Sequence, residues 1–166
     1  MRVALTLSFT ANLMLAIFSI LVLPERVAIH FAWGGAADGW AARLDSVLLT
    51  LSLDTLLFLT FWLSPALLRR TPVNWVNLPN RAYWLSPERR EATIARFCER
   101  LWAFGAALFL FLLAVGLLTL AANRSDPVRR DQPLFLVALG LFLAYTLYWT
   151  VALIQDFRLP TGSGGT

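Results

Sequence analysis

The chain has no lysine, one histidine and one cysteine, and charged residues make up only 14% of its 166 residues. Each shortage closes off a class of function. A single cysteine, Cys98, forms neither an internal disulfide nor a multi-thiolate metal centre. It sits in apolar company near the start of an expected helix, which suits an inert, buried thiol. A single histidine, His30, supplies no Ser-His-Asp or Cys-His set. Zinc needs several donors, and only Glu25, Asp38 and Asp45 lie near His30 in the chain. No metal, cofactor or catalytic residue is therefore assigned, and an enzyme is not expected. The fourteen basic residues are all arginine, a choice that genome base composition explains as well as function does. They flank apolar runs instead of forming one solvated patch, which argues against nucleic-acid binding.

What the chain has in quantity is apolar sequence, 58% of it, against about half in a soluble domain. A bilayer core about 30 Å thick is crossed by about 20 helical residues. Four segments qualify: Val3 to Leu23, about Leu44 to Leu68, about Phe97 to Ala122, and Pro133 to Phe157. The first could be confused with a secretory signal, but its apolar run is long and no clear small-x-small cleavage site follows. The expected fold is an all-α integral membrane protein. Its four transmembrane helices form a bundle, with a short structured extracytoplasmic loop and an amphipathic cytoplasmic segment. The expected division is 1–68 as a two-helix module, 69–96 as a basic cytoplasmic loop, 97–157 as a second two-helix half, and 158–166 as a flexible tail.

Arginine counts in short loops set orientation. Arg69, Arg70, Arg81, Arg89, Arg90, Arg96 and Arg100, with Arg2 and Arg158, fall on one side. Arg26, Arg43, Arg124, Arg129 and Arg130 fall on the other. The middle loop and both termini are thus expected in the cytoplasm, in a bacterial inner membrane. Within that loop Ser86 reads as an N-cap with Pro87 at the first helical position. Ile94, Phe97, Cys98 and Leu101 recur at helical spacing, so this segment reads as an amphipathic lead-in lying along the headgroups or as a solvated turn.

Asp54 is the costly residue. A carboxylate near the middle of a span costs roughly 2.5 kcal/mol or more to insert. Counting helical rise from the outer ends of the spans puts Asn12 at the same depth, with Tyr145 and Thr146 near it. These four residues are the expected intramembrane polar cluster. Interhelical hydrogen bonding is the favoured role, at around 0.6 kcal/mol per bond, over an ion or proton path.

The stretch "LPERVAIHFAWGGAADGW", Leu23 to Trp40, joins the first two spans. It lacks the endings of a phosphate loop and the acidic alternation of a calcium loop. "VAIHF" is β-prone, and Asp38-Gly39 is a tight-turn pair expected to reverse the chain. Trp33 and Trp40 bracket the turn, and tryptophan favours membrane interfaces. Pro24, His30, Phe31, Gly35, Asp38, Gly39 and Trp40 together resemble the signature of a bacterial and archaeal membrane family built on a domain of unknown function. The same module forms the N-terminal part of SdpI-type toxin-immunity and signalling membrane proteins. The match covers about Ala4 to Leu68, and "NLPNRAYWLSPERREAT" from Asn77 is similar to a segment of uncharacterised members. SdpI-type proteins carry a further multi-helix region not seen here, so the resemblance does not by itself imply immunity. The specific turn chemistry of the loop, with no catalytic set in the core, points to an outward loop that contacts a ligand, peptide or protein partner. The expected function is a sensor, immunity-like or accessory role. The alternatives are a small ion-coupled transporter using Asp54 and a structural subunit of a larger membrane complex.

Overall fold

The structure is a computed structural model and describes residues 1–159; the expected tail falls almost wholly outside them. Six α-helices and one hairpin follow in order: α1 (Arg2–Val22), β1 (Arg26–Phe31), β2 (Ala37–Ala42), α2 (Arg43–Trp62), α3 (Ser64–Arg70), α4 (Arg81–Trp84), α5 (Arg90–Asn123) and α6 (Gln132–Asp156), with a short 3-10 turn at Val73–Trp75. Four of them, α1, α2, α5 and α6, are long and apolar enough to cross a membrane.

The helices begin and end for local reasons. α6 starts where the Asp131 carboxylate accepts the Leu134 amide at 2.9 Å, with Pro133 in the first turn. The second expected span is broken in two. Proline has no amide to give the carbonyl four residues back, which here belongs to Phe61. That carbonyl instead accepts the Ser64 hydroxyl at 2.8 Å and the Trp102 indole N–H at 2.8 Å. The break at Leu63 is thus tied to α5. Close by, Arg2 lies 3.6 Å above the Trp62 ring, and Trp149 donates its indole N–H to the Arg100 carbonyl at 2.8 Å. These tryptophans cross-link helices.

The amphipathic segment differs from expectation. Ser86 does not cap a helix. Its carbonyl closes a turn onto Arg89 and Arg90, and α5 starts at Arg90. From there α5 runs without a break for 34 residues, about 50 Å at helical rise, well beyond a bilayer core. Its first turns therefore continue the apolar helix as one rod and form no separate lead-in helix. Thr93, Ile94 and Cys98 are buried and face inward. Residues 71–89 fold around the end of α6: Asn80 and Trp84 both donate to the Phe157 carbonyl, at 2.9 and 2.8 Å. Arg96 and Arg100 both hold Asp156, at 2.9 and 2.6 Å.

α1, α2 and α5 form the packed core. Leu5, Ala106 and Phe109 are buried at one end, under Phe9, Phe58 and Phe61. Phe9 stacks on Phe58 at 4.3 Å and meets Phe109 edge-on at 5.6 Å. Gly105 allows the close approach: a Cβ there would stand 2.9 Å from both Leu5 and Phe61. α6 packs on α5 and buries none of its own residues, so it lies outside the three-helix core.

The all-α expectation is corrected at residues 26–42, which form an antiparallel two-stranded hairpin. The turn is also elsewhere. The Ala32 amide bonds the Ala36 carbonyl and the Gly35 amide bonds the Ala32 carbonyl, both at 2.8 Å, so "AWGGA" reverses the chain. Asp38-Gly39 lies inside β2 at an irregular step of the ladder. Gly35 has φ +83, which disfavours any side chain, and a Cβ there would collide with the Arg130 carbonyl oxygen. Gly35→Ala should therefore detach the hairpin tip from the α5–α6 connection. Faster amide exchange at Arg130, which donates to the Gly35 carbonyl at 2.8 Å, would report it; unchanged exchange would mean the tip tolerates the side chain.

Candidate functional site

A cavity of about 340 Å³ lies between α1, α2 and α5 and beneath the hairpin. Helical spacing builds each wall. α1 contributes Asn12, Leu15, Ala16, Ser19 and, beyond its end, Leu23. α2 contributes Ser46, Val47, Leu49, Thr50, Leu53 and Asp54, in which Ser46, Thr50 and Asp54 recur every four residues. α5 contributes Leu112, Val115, Gly116, Thr119 and Leu120. The roof is Val27 and Ile29, alternate residues of β1.

The floor is the level at which Asn12 and Asp54 lie, with the aromatic cluster of Phe9, Phe58 and Phe109 below it. α5 meets α2 at that lower end through Trp102 and Phe61, and meets α3 through Cys98 and Ser64. Toward the hairpin the cavity separates them. Leu49, Thr50, Leu53 and Ile29 line it and are exposed, so the cavity is a cleft open on the α2 side.

Asp54 is only 3% exposed, and its Oδ2 has no hydrogen-bond partner among the described residues. Asn12, equally buried, is fully used as a donor: its Nδ2 gives to the Ser8 carbonyl at 2.9 Å and to the Phe109 carbonyl at 2.8 Å. It joins α1 to α5 and leaves Oδ1 as a free acceptor. Ser19, Ser46 and Thr50 likewise spend their hydroxyl hydrogens on carbonyls of Leu15, Arg43 and Ser46, at 2.8, 2.8 and 2.9 Å.

Of the expected polar cluster, the structure brings together Asn12 and Asp54 on one cavity floor. Tyr145 and Thr146 do not join them, because the long helix on which α6 packs is α5. Thr146 donates to the Phe142 carbonyl of its own helix at 2.9 Å, and Tyr145 lies beside Tyr148. Equal depth along two helices says nothing about which helices are neighbours.

The loop residues are mostly engaged within the hairpin and its seat. His30 Nδ1 meets Asp38 Oδ1 at 2.6 Å across the strands, and since a carboxylate only accepts, the imidazole donates. Both side chains are exposed, so this pair contributes little to stability. Gly39 faces His30, whose Cβ would stand 2.7 Å from a Cβ at that position. Phe31 and Ala28 are buried against Ala122. They are three residues apart, and the irregularity at Ile29 resets the alternation that would otherwise part them. Pro24 lies just beyond the end of α1, between Leu23 and β1. Trp33 at the turn is 81% exposed, and Trp40 lies under the Arg26 guanidinium at 5.4 Å.

The seat itself is built by residues the sequence reading passed over. Asn123, at the end of α5, accepts the Ala28 amide at 2.7 Å and donates to the Ala28 carbonyl at 3.0 Å. One side chain thus replaces a neighbouring strand. Arg129 donates to the Gly34 carbonyl at 2.9 Å. The Arg130 guanidinium lies 3.8 Å from Phe135 and 5.2 Å from Phe31, and burial pushes it down from its ordinary range. Ser19, Thr50 and Thr119 were also passed over. Their signal was present: Asn12 and Ser19 are seven apart and Thr50 and Asp54 four apart, each pair on one helical face.

Comparison with family models, with curated proteins and with solved structures finds no match to this chain.

Proposed function

We propose that this chain is a non-enzymatic integral membrane protein of the sensor or accessory kind, which takes up a small ligand in the cavity beneath its hairpin. The observation that carries the reading is Asp54: a buried carboxylate without a partner, facing a cavity of about 340 Å³. Ligand pockets are typically of this size, mostly apolar, with a few convergent polar groups. A carboxylate whose only role was to hold helices together would be hydrogen-bonded across them.

The arginine bias supports a bacterial inner-membrane orientation with both termini in the cytoplasm and the hairpin outside. The resemblance of Pro24 to Trp40 to the SdpI-type module favours the same class of role. With His30, Phe31, Gly35, Asp38 and Gly39 engaged in the hairpin, Trp33 and the edge of Trp40 are the surface left for a peptide or protein partner. A second reading, a small ion-coupled carrier, rests on the same Asp54. The Phe9–Phe58–Phe109 cluster beneath it would then be the closed gate, and Asp54→Asn should abolish flux in reconstituted vesicles.

The cavity reading is tested by cysteine labelling. The one native thiol, Cys98, is buried and gives low background. Ser19→Cys should react with a small maleimide in the folded protein, while Leu5→Cys, in the packed end, should not. Equal protection of both would mean that the space is closed.

A further inference from the structure

The polar chemistry of the cavity is one-sided, and this deepens the ligand reading on which it rests. Among the described residues no arginine or histidine lines the space, and Asp54 is its only ionisable side chain. Arg43 is close in sequence to Ser46 but belongs to the roof junction, where its Nη1 is given to the Leu23 carbonyl at 2.9 Å. The Asn12 amide hydrogens go to Ser8 and Phe109, and the hydrogens of Ser19, Ser46 and Thr50 go to their own helices. Each of these groups therefore offers lone pairs to the cavity. Thr119 is the one lining hydroxyl for which the structure shows no committed hydrogen. The complement of a wall of acceptors around an unpaired carboxylate is a cation rich in N–H donors.

The other walls set the rest of the molecule. Leu15, Leu23, Val47, Leu53, Leu112 and Leu120 are apolar, and the open side toward α2 is flanked by exposed leucines that face the apolar phase of a membrane. A metal ion or hydrated proton would leave that surface unmatched. We propose that the ligand is a protonated amine on a compact apolar body, its ammonium seated between Asp54 and Asn12 Oδ1 and its body against the leucine and valine walls. Asp54 is the counter-ion and Asn12 the positioning acceptor. An ammonium buried with its carboxylate avoids the cost that either charge would carry alone in a low-dielectric site.

The test uses three probes of one shape: cyclohexylmethylammonium, the neutral cyclohexylmethanol and the anion cyclohexanecarboxylate. The full chain in lipid nanodiscs, carrying Ser19→Cys, is labelled with maleimide in the presence of each. The ammonium should protect the thiol at a concentration at least about tenfold lower than the alcohol, and the carboxylate should not protect. Asp54→Asn should erase the ammonium's advantage and leave the alcohol's effect unchanged, and Asp54→Glu should restore part of it. Equal protection by ammonium and alcohol, or an advantage that survives Asp54→Asn, overturns the amine assignment while leaving a ligand cavity in place. A thiol that labels but is protected by none of the three also overturns it. A Ser19→Cys thiol that never labels overturns the cavity itself.

Discussion

Asp54→Leu should make the protein more stable, by roughly 2 kcal/mol on scales for a carboxylate inside a membrane helix. Asp54 is buried and its Oδ2 is unpartnered, so removing it forfeits no observed hydrogen bond. Leucine would also fill part of the cavity with apolar volume. Titration of the unfolded fraction with sodium dodecyl sulfate in mixed micelles, wild type against variant, measures the difference. A loss of stability would show that Asp54 holds the helices together, and the ligand reading would lose its main support. A gain would mark Asp54 as a residue kept at a cost to the fold, the usual signature of a functional group.

Asn123→Leu should act in the opposite direction. It leaves the buried Ala28 amide and carbonyl without partners, and each such group costs roughly 1–3 kcal/mol. A total near 3 kcal/mol is expected, appearing first as local opening of the hairpin. Proteolysis between Pro24 and Arg43 should accelerate before the helices unfold. Asn123→Asp separates bonding from packing: as a carboxylate it repels the Ala28 carbonyl, and as a protonated acid it donates to it. Its stability should therefore recover as pH falls. If Asn123→Leu is neutral in both assays, the clamp is not what seats the hairpin.

The two variants test different parts of one arrangement. Asn123 holds Ala28, and Ala28 lies between Val27 and Ile29, which roof the cavity. Hairpin residues thereby hold the roof of the cavity below. Gly35 and Gly39 are required by the turn and by close approach to His30, which explains them without a partner on the outer face. What remains outside is Trp33, which nothing in the hairpin requires.

The sequence by itself determined the four apolar helices. Their length and composition leave no other way to bury so much apolar surface, and backbone bonding inside each helix is local. It placed Asn12 and Asp54 at one depth, because depth is a count of residues along a regular rise. It did not assign neighbours. Tyr145 stands near the same depth, but α6 lies on the far side of α5. Depth is a property of one chain segment, while adjacency follows from how side chains of several segments pack. The hairpin divides in the same way. "VAIHF" showed its β tendency locally, but the turn fell at Gly34-Gly35 instead of Asp38-Gly39. The Arg130 amide, which donates to the Gly35 carbonyl, and the two hydrogen bonds of Asn123 hold that register from elements about a hundred residues away. The unpaired state of Asp54 was likewise settled only in three dimensions, where the hydrogens of Asn12, Ser19 and Thr50 all turn to backbone carbonyls and none reaches the carboxylate.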